Sequence, residues 1–315
     1  MIHSDLRPLG IGEILDRAVT LFVRRFAVLV LILALVAVPV AIVQFAAEPS
    51  TTTMAADLQR VFTLPPGHPE EQRAILRRLA QQNQVGILAF GLIALSVILS
   101  ALSTTACMIG VAQAYGGRLP SVREVYREAL RRWLPQLAAG IVFMALAFAV
   151  TIALAIVIFF TALAIGGLAV VSRLAAEIVG IPVALVAAAL LFGVVVLVYF
   201  AAQMTLVSIA LEDANPIRGI AAGLRRTLSP ALFWRSLLVG TIVFGVSLIG
   251  TLMLVALAAV VSAVTHLTAL YPVIVVIGGV VLNALLTSFI VIYAIDVRVR
   301  REGYDLVIAA RDTPF

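Results

Sequence analysis

The sequence predicts an all-α polytopic membrane protein of about six transmembrane helices arranged as three hairpins. Three observations carry that prediction. Hydrophobic residues make up 63% of the 315 and charged residues only 12%, against roughly 45–50% and 25% in soluble domains, and mean hydropathy is +1.15. Six uncharged runs are long enough to cross a hydrocarbon core about 30 Å thick, which takes about 20 helical residues. The basic residues, all of them Arg, are divided unevenly between the segments that connect those runs.

The runs are Phe26 to Ala47, Val85 to Tyr115, Leu137 to Val171, Ile178 to Leu211, Leu237 to Val264 and Tyr271 to Ile295. No ionisable side chain lies near the middle of any of them. The third and fourth exceed one crossing, so they are expected to tilt, bend or run on past the bilayer near Gly166-Gly167. The chain reads as a single integral membrane domain over 1–315. Within it, residues 48–84 form an extracytoplasmic helical cap, in which Met54, Leu58, Val61 and Phe62, then Ile75, Leu76 and Leu79, recur at helical spacing on either side of Pro65-Pro66-Gly67.

Formal net charge is +6. The N-terminus, the even-numbered loops and the tail hold most of the arginines, among them Arg24, Arg25, Arg123, Arg127, Arg131, Arg132, Arg225, Arg226, Arg235 and Arg298. The opposite side has Arg60, Arg73, Arg77, Arg78 and Arg173, most of them beside Asp57, Glu70 and Glu71. The positive-inside rule therefore puts both termini in the cytoplasm of a multi-pass protein of the cell membrane. Its Arg-rich face lies against the anionic headgroups of the lipid bilayer, which accounts for the basic balance without nucleic acid. Cys107, the single cysteine, falls inside the second span as a small buried hydrophobe.

Each hairpin is preceded by a stretch with the pattern of an amphipathic cytoplasmic helix lying in the membrane interface. In the first, Ile11, Ile14, Leu15, Ala18 and Phe22 oppose Glu13, Asp16, Arg17, Thr20 and Arg24. In the second, Val122, Val125, Ala129 and Trp133 oppose Arg123, Glu124, Arg127, Glu128, Arg131 and Arg132. The third groups Ile217, Ile220, Ala221, Leu224 and Leu228 away from Arg218, Arg225 and Arg226, with Asn215 as cap and Pro216 as first helical residue. Arg pairs at 24/25, 131/132 and 225/226 give these units the look of a degenerate repeat.

No constellation of catalytic residues emerges. His68-Pro69-Glu70-Glu71 reads as a helix start, His3 and His266 fall on opposite sides of the membrane, and no phosphate loop, nucleophile elbow or HExxH occurs. The chain is expected to have no enzymatic activity, no metal and no cofactor. Polar residues within the spans are few. Ser96, Ser100 and Thr104, and again Gly279, Asn283 and Thr287, stand at i, i+4, i+8, a spacing that lets helices approach closely and hydrogen-bond. Tyr199 and Gln203, with Asn283 and Thr287, form a candidate polar seam between hairpins. At the cytoplasmic face, Glu13, Asp16 and Arg17 near one end of the chain and Arg298 and Arg301 near the other form a candidate contact cluster.

The N-terminal Leu6-Arg7-Pro8-Leu9 with Gly12-Glu13-Ile14-Leu15-Asp16-Arg17, the stretch Asn215-Pro216-Ile217-Arg218 through Arg225-Arg226 and Phe233-Trp234, and the ending Asp296-Val297-Arg298-Val299-Arg300-Arg301-Glu302-Gly303-Tyr304-Asp305-Leu306 together resemble the bacterial proteins named for the membrane domain of glycerophosphoryl diester phosphodiesterase. The resemblance implies the membrane architecture. In the members that give the family its name a soluble phosphodiesterase domain follows the membrane part, and with an end at Phe315 that reaction is not expected here.

The function expected is that of a non-catalytic membrane module, a scaffold, assembly partner or regulator beside a membrane or cytoplasmic protein partner. The alternative is a transporter or lipid-handling protein that uses the polar seam. The topology is tested by cysteine substitution in a chain lacking Cys107. Cysteine at Ser50 or Gln82 should react with an impermeant maleimide from outside and cysteine at Ser121 or Thr227 should not; outside labelling at Ser121 would overturn six spans with cytoplasmic termini.

Overall fold

Each long apolar run becomes a helix, since in hydrocarbon a backbone must satisfy its own hydrogen bonds. A computed structural model describes residues 8–43, 70, 73, 75, 83–212, 215–267 and 270–302. Among them are eight helices and no strand: α1 (Ile11–Arg24), α2 (Phe26–Val43), α3 (Asn83–Tyr115), α4 (Val122–Val171), α5 (Arg173–Glu212), α6 (Pro216–Thr227), α7 (Phe233–Thr265) and α8 (Leu270–Glu302). Six of these, all but α1 and α6, are long and apolar enough to cross a membrane. The cap expected over 48–84 lies almost wholly outside the described residues; within it Glu70 and Arg73 pair at 3.7 Å on an exposed surface.

The helix ends follow from local chemistry. Asn215 Oδ1 accepts the Arg218 amide at 2.8 Å and Pro216 opens α6, where a missing N–H costs nothing. Gly117 closes α3 at φ 81, a left-handed conformation suited to glycine, and lets the Arg118 amide reach back to the Gln113 carbonyl at 3.0 Å. Between α1 and α2 the chain leaves helical geometry only at Arg25.

Two of the three expected interfacial helices take a different form. The apolar side of α1 faces protein: Ile14 and Ala18 are fully buried, Phe22 nearly so, and α1 packs on α8. The second is not a separate helix, because α4 runs unbroken for 50 residues through Pro135. Val125 and Ala129 before the proline, and Gln136, Ala139 and Phe143 after it, form one continuous buried stripe. Proline removes one backbone donor, whereas a break would free several groups on each side, so packing carries the helix through. The third, α6, is separate, and Gly219, Ala222, Gly223, Arg226 and Thr227 form its buried side, while Ile217 is 79% exposed.

That small-residue side seats α6 directly on α5. A Cβ at Gly223 would lie 2.7 Å from the Thr205 amide nitrogen and 2.8 Å from its Cα, and one at Gly219 would collide with Ile209. Close approach through glycines four apart is the packing device of membrane helices. The core lies toward the end where Leu9, α6 and the last turns of α8 meet, and includes Phe200, Met204, Tyr293 and Ile292. Away from that end the helices are covered sparsely. No described side chain of α4 from Met144 to Gly167 is buried, and α7 from Phe244 to Thr265 buries only Ala258. At about 1.5 Å per residue α4 is about 75 Å long, far more than a bilayer core requires.

The α5–α6 contact makes a sharp prediction. Gly223→Ala should destabilise the protein by about 1–3 kcal/mol through forced backbone movement, read as a lowered melting temperature in detergent. Gly193→Ala, on α5 with open space around it, should be neutral or slightly stabilising; equal effects at both positions would remove the close contact from the account.

Candidate functional site

A carboxylate buried among apolar helices needs partners for both oxygens, and Asp296 on α8 has them. Its side chain is fully buried. Oδ2 accepts from Arg235 Nη2 on α7 at 2.9 Å and from Arg300 Nε one helical turn on at 3.0 Å. Oδ1 accepts the Leu9 amide at 2.7 Å. The Leu9 carbonyl in turn accepts from the Nη2 atoms of Arg235 and Arg300, each at 2.7 Å. One carboxylate and two guanidiniums thus engage both the N–H and the C=O of Leu9, in the segment that leads into α1. The neighbouring Tyr293 hydroxyl shares a hydrogen bond with Ser236 at 3.1 Å, and the Arg235 guanidinium lies 6.0 Å from the Tyr293 ring centroid.

A second knot joins α5, α6 and α8. Glu212 Oε1 receives Arg226 Nη1 at 2.5 Å, with Arg298 Nε at 3.7 Å. Arg226, 5% exposed, also donates to Ser208 Oγ at 2.7 Å. Arg132 on α4 pairs with Glu128 at 3.0 Å and donates to the Ala210 carbonyl of α5. Arg17 on α1 reaches the Tyr115 hydroxyl of α3 at 3.2 Å, and the Tyr126 hydroxyl of α4 reaches the Ile32 carbonyl of α2 at 2.5 Å. The segment before α1, the α3–α4 connection, the α5–α6–α7 segment and the last turns of α8 therefore gather at one end of the protein.

The residues expected to form a cluster at the two chain ends are distributed through this region. Glu13 Oε2 accepts the Gly10 amide at 2.9 Å and so caps α1. Arg17 holds Tyr115, Asp16 is exposed, Arg298 faces Glu212, and Arg301 Nη1 donates to the Arg225 carbonyl at 2.9 Å. The tie between the ends runs through Leu9, Asp296, Arg235 and Arg300. A backbone acceptor and donor at Leu9 carry no side-chain signal, and Asp296 stood in the sequence as one acid in an Arg-rich tail.

The expected polar seam divides. Tyr199 on α5 packs edge-on against Phe244 of α7 at 5.5 Å between ring centroids, within hydrogen-bonding reach of Ser247, and Gln203 is half-buried on the same helix. Thr287, nearly buried, donates to Asn283 Oδ1 at 3.1 Å and lies within hydrogen-bonding reach of Cys107. Asn283 lines a cleft of about 410 Å³ between α2, α3 and α8, together with Ser96, Ser100, Ser103 and Thr104. The hydroxyls of Ser100 and Ser103 donate to carbonyls of their own helix at 2.9 and 3.0 Å, which satisfies them without a partner across the cleft. A smaller, wholly apolar pocket of about 280 Å³ adjoins it through Ala41 and Val276. Of the two rows expected to close helices on one another, Ser96, Ser100, Thr104, Gly279 and Asn283 thus line an opening, with Leu33, Val36, Ala37 and Val40 of α2 as its third wall.

Among the described residues no group of three or more His, Cys, Asp or Glu is placed to hold a metal ion. No protein-family model, curated protein or solved structure matches the chain.

The Asp296 network sets a measurable cost. Asp296→Asn keeps the shape but leaves two guanidiniums without their counter-charge, and removing one partner of a buried pair costs about 3–5 kcal/mol. Thermal unfolding in detergent should show that loss, whereas Asp16→Asn, on an exposed side chain, should stay within about 0.5 kcal/mol of the parent. Matching small effects would mean that the network contributes nothing to assembly.

Proposed function

We propose that this chain is a non-catalytic integral membrane module, acting as scaffold, assembly partner or regulator beside another protein. In this reading it sits in the cell membrane as three hairpins with both termini cytoplasmic, and the Arg-rich end is the cytoplasmic one. The observation that carries the reading is how the charged groups at that end are used. Asp296, Glu212, Arg226, Arg235 and Arg300 bind one another and backbone groups, and so hold five elements in fixed relation. Such a network suits a rigid platform, with apolar helix surfaces left along α4 and α5 for lipid or for a partner's spans. The likeness of the Leu6 to Arg17 stretch and of the tail from Asp296 to the membrane domain of glycerophosphoryl diester phosphodiesterase supports the same membrane architecture.

A lipid-handling or transport role is the second reading, and one observation favours it. Asn283 stands midway along α8 on a cleft whose other polar groups are hydroxyls, with an apolar pocket alongside. An amide at mid-span marks a polar contact within hydrocarbon.

Purification from native membranes separates the two. The scaffold reading expects a protein that stays with the chain at fixed stoichiometry, and no release of glycerol phosphate from glycerophosphodiesters with Mg²⁺, Mn²⁺, Ca²⁺ or Zn²⁺. A solute flux in proteoliposomes that Asn283→Leu abolishes, with no protein partner retained, would replace it by the second reading. Metal-dependent turnover would refute both.

A further inference from the structure

The arginines of the charged end are used in different ways. Arg132, Arg226, Arg235, Arg298 and Arg300 are turned toward carboxylates. Arg123, Arg127 and Arg131 on α4 are all exposed, and among the described residues none has an acidic partner. They stand at i, i+4, i+8, hence on one face and about 12 Å from first to last. A groove of about 620 Å³ runs along that face, lined by these three with Ser121, Glu124, Glu128 and Arg132. Glu128 is already engaged by Arg132 at 3.0 Å, so Glu124 is the one acid set against three guanidiniums there.

Two features say what meets this ridge. α4 is unbroken from Val122 through Pro135 into its apolar span, so the ridge is rigidly joined to a membrane-crossing helix and ends six residues before the uncharged run that begins at Leu137. Beside it Leu130 and Leu134 are 57% and 61% exposed. Exposed leucines flanking exposed arginines at the mouth of a span fit the boundary between acyl chains and headgroups. We propose that Arg123, Arg127 and Arg131 bind the phosphates of an anionic phospholipid headgroup, with preference for one that carries two phosphate groups. A guanidinium fork engages phosphate oxygens in pairs, and forks set out along about 12 Å of helix are better matched by two phosphates than by one. The proposal requires only that α4 crosses a bilayer, and so stands whichever reading of the chain's function holds.

The test uses the full chain in detergent micelles, titrated with diphosphatidylglycerol, phosphatidylglycerol or phosphatidylcholine, with bound lipid counted by native mass spectrometry. Diphosphatidylglycerol should bind most tightly, with affinity falling as salt rises. Arg123→Gln/Arg127→Gln/Arg131→Gln should weaken its binding at least about tenfold. Arg24→Gln/Arg118→Gln/Arg218→Gln, which removes the same charge from other exposed positions, should leave it near the parental value. An equal loss in the two triple variants would reduce the effect to net charge and overturn the site. Displacement of the lipid by inorganic pyrophosphate at comparable concentration would assign the ridge to a soluble anion and overturn the lipid.

Discussion

A buried carboxylate at the end of the last span is the constraint on which the assembly turns. Asp296 is enclosed, and an ionised carboxylate taken from water loses several kcal/mol of solvation unless its lone pairs are met. Two guanidiniums and one backbone amide meet them here, and those groups belong to α7, α8 and the segment before α1. Leu9 closes the ring by giving its carbonyl to the same two arginines. Satisfying one charge therefore fixes three elements that are distant in sequence. The apolar side of α1, with Ile14 and Ala18, then packs on α8.

Elsewhere the helices meet by a different means. Between apolar helices in lipid there is no hydrophobic drive to associate, so close packing at small residues and occasional hydrogen bonds do the work. Gly110 sits against Ile32 of α2, Gly240 against Val196 and Phe200 of α5, and Gly278 against Leu254 of α7. These contacts hold pairs of helices without drawing all of them into one compact bundle. The charged knots lie at one end, and the long middle of α4 buries nothing among the described residues. A protein tied at one end and sparsely covered along its spans presents extended apolar surface to its surroundings, which suits a module that works beside another membrane component.

Much of the framework was legible in the residues. Six long apolar runs reappear as six helices able to cross a membrane, because composition and length alone decide that property. Asn215 and Pro216 start α6 as their chemistry dictates. What escaped was decided by tertiary contact. Nothing in the pattern of Val122 to Trp133 distinguishes a surface helix from the first turns of a span; the stripe from Val125 to Phe143 does so only when its buried side is known. The apolar side of α1 reads as lipid-facing until α8 is seen to cover it. Asn283 and the hydroxyls of α3 were visible as polar positions, but α2 had to be placed before they could become a cleft. The Asp296 ring was least legible, since part of it is the backbone N–H and C=O of Leu9.

If Asp296 holds the segment before α1 in place, the backbone of that segment must owe its protection to the carboxylate. Hydrogen exchange followed by mass spectrometry on the full chain in nanodiscs, comparing the peptide that contains Leu9 and Gly10 between parent and Asp296→Asn, reads this directly. Exchange should be slow in the parent and faster by an order of magnitude or so in the variant, while peptides from the middle of α3 stay unchanged. Slow exchange at Leu9 in both proteins, or fast exchange in both, would mean that the buried carboxylate does not hold the two ends of the chain together.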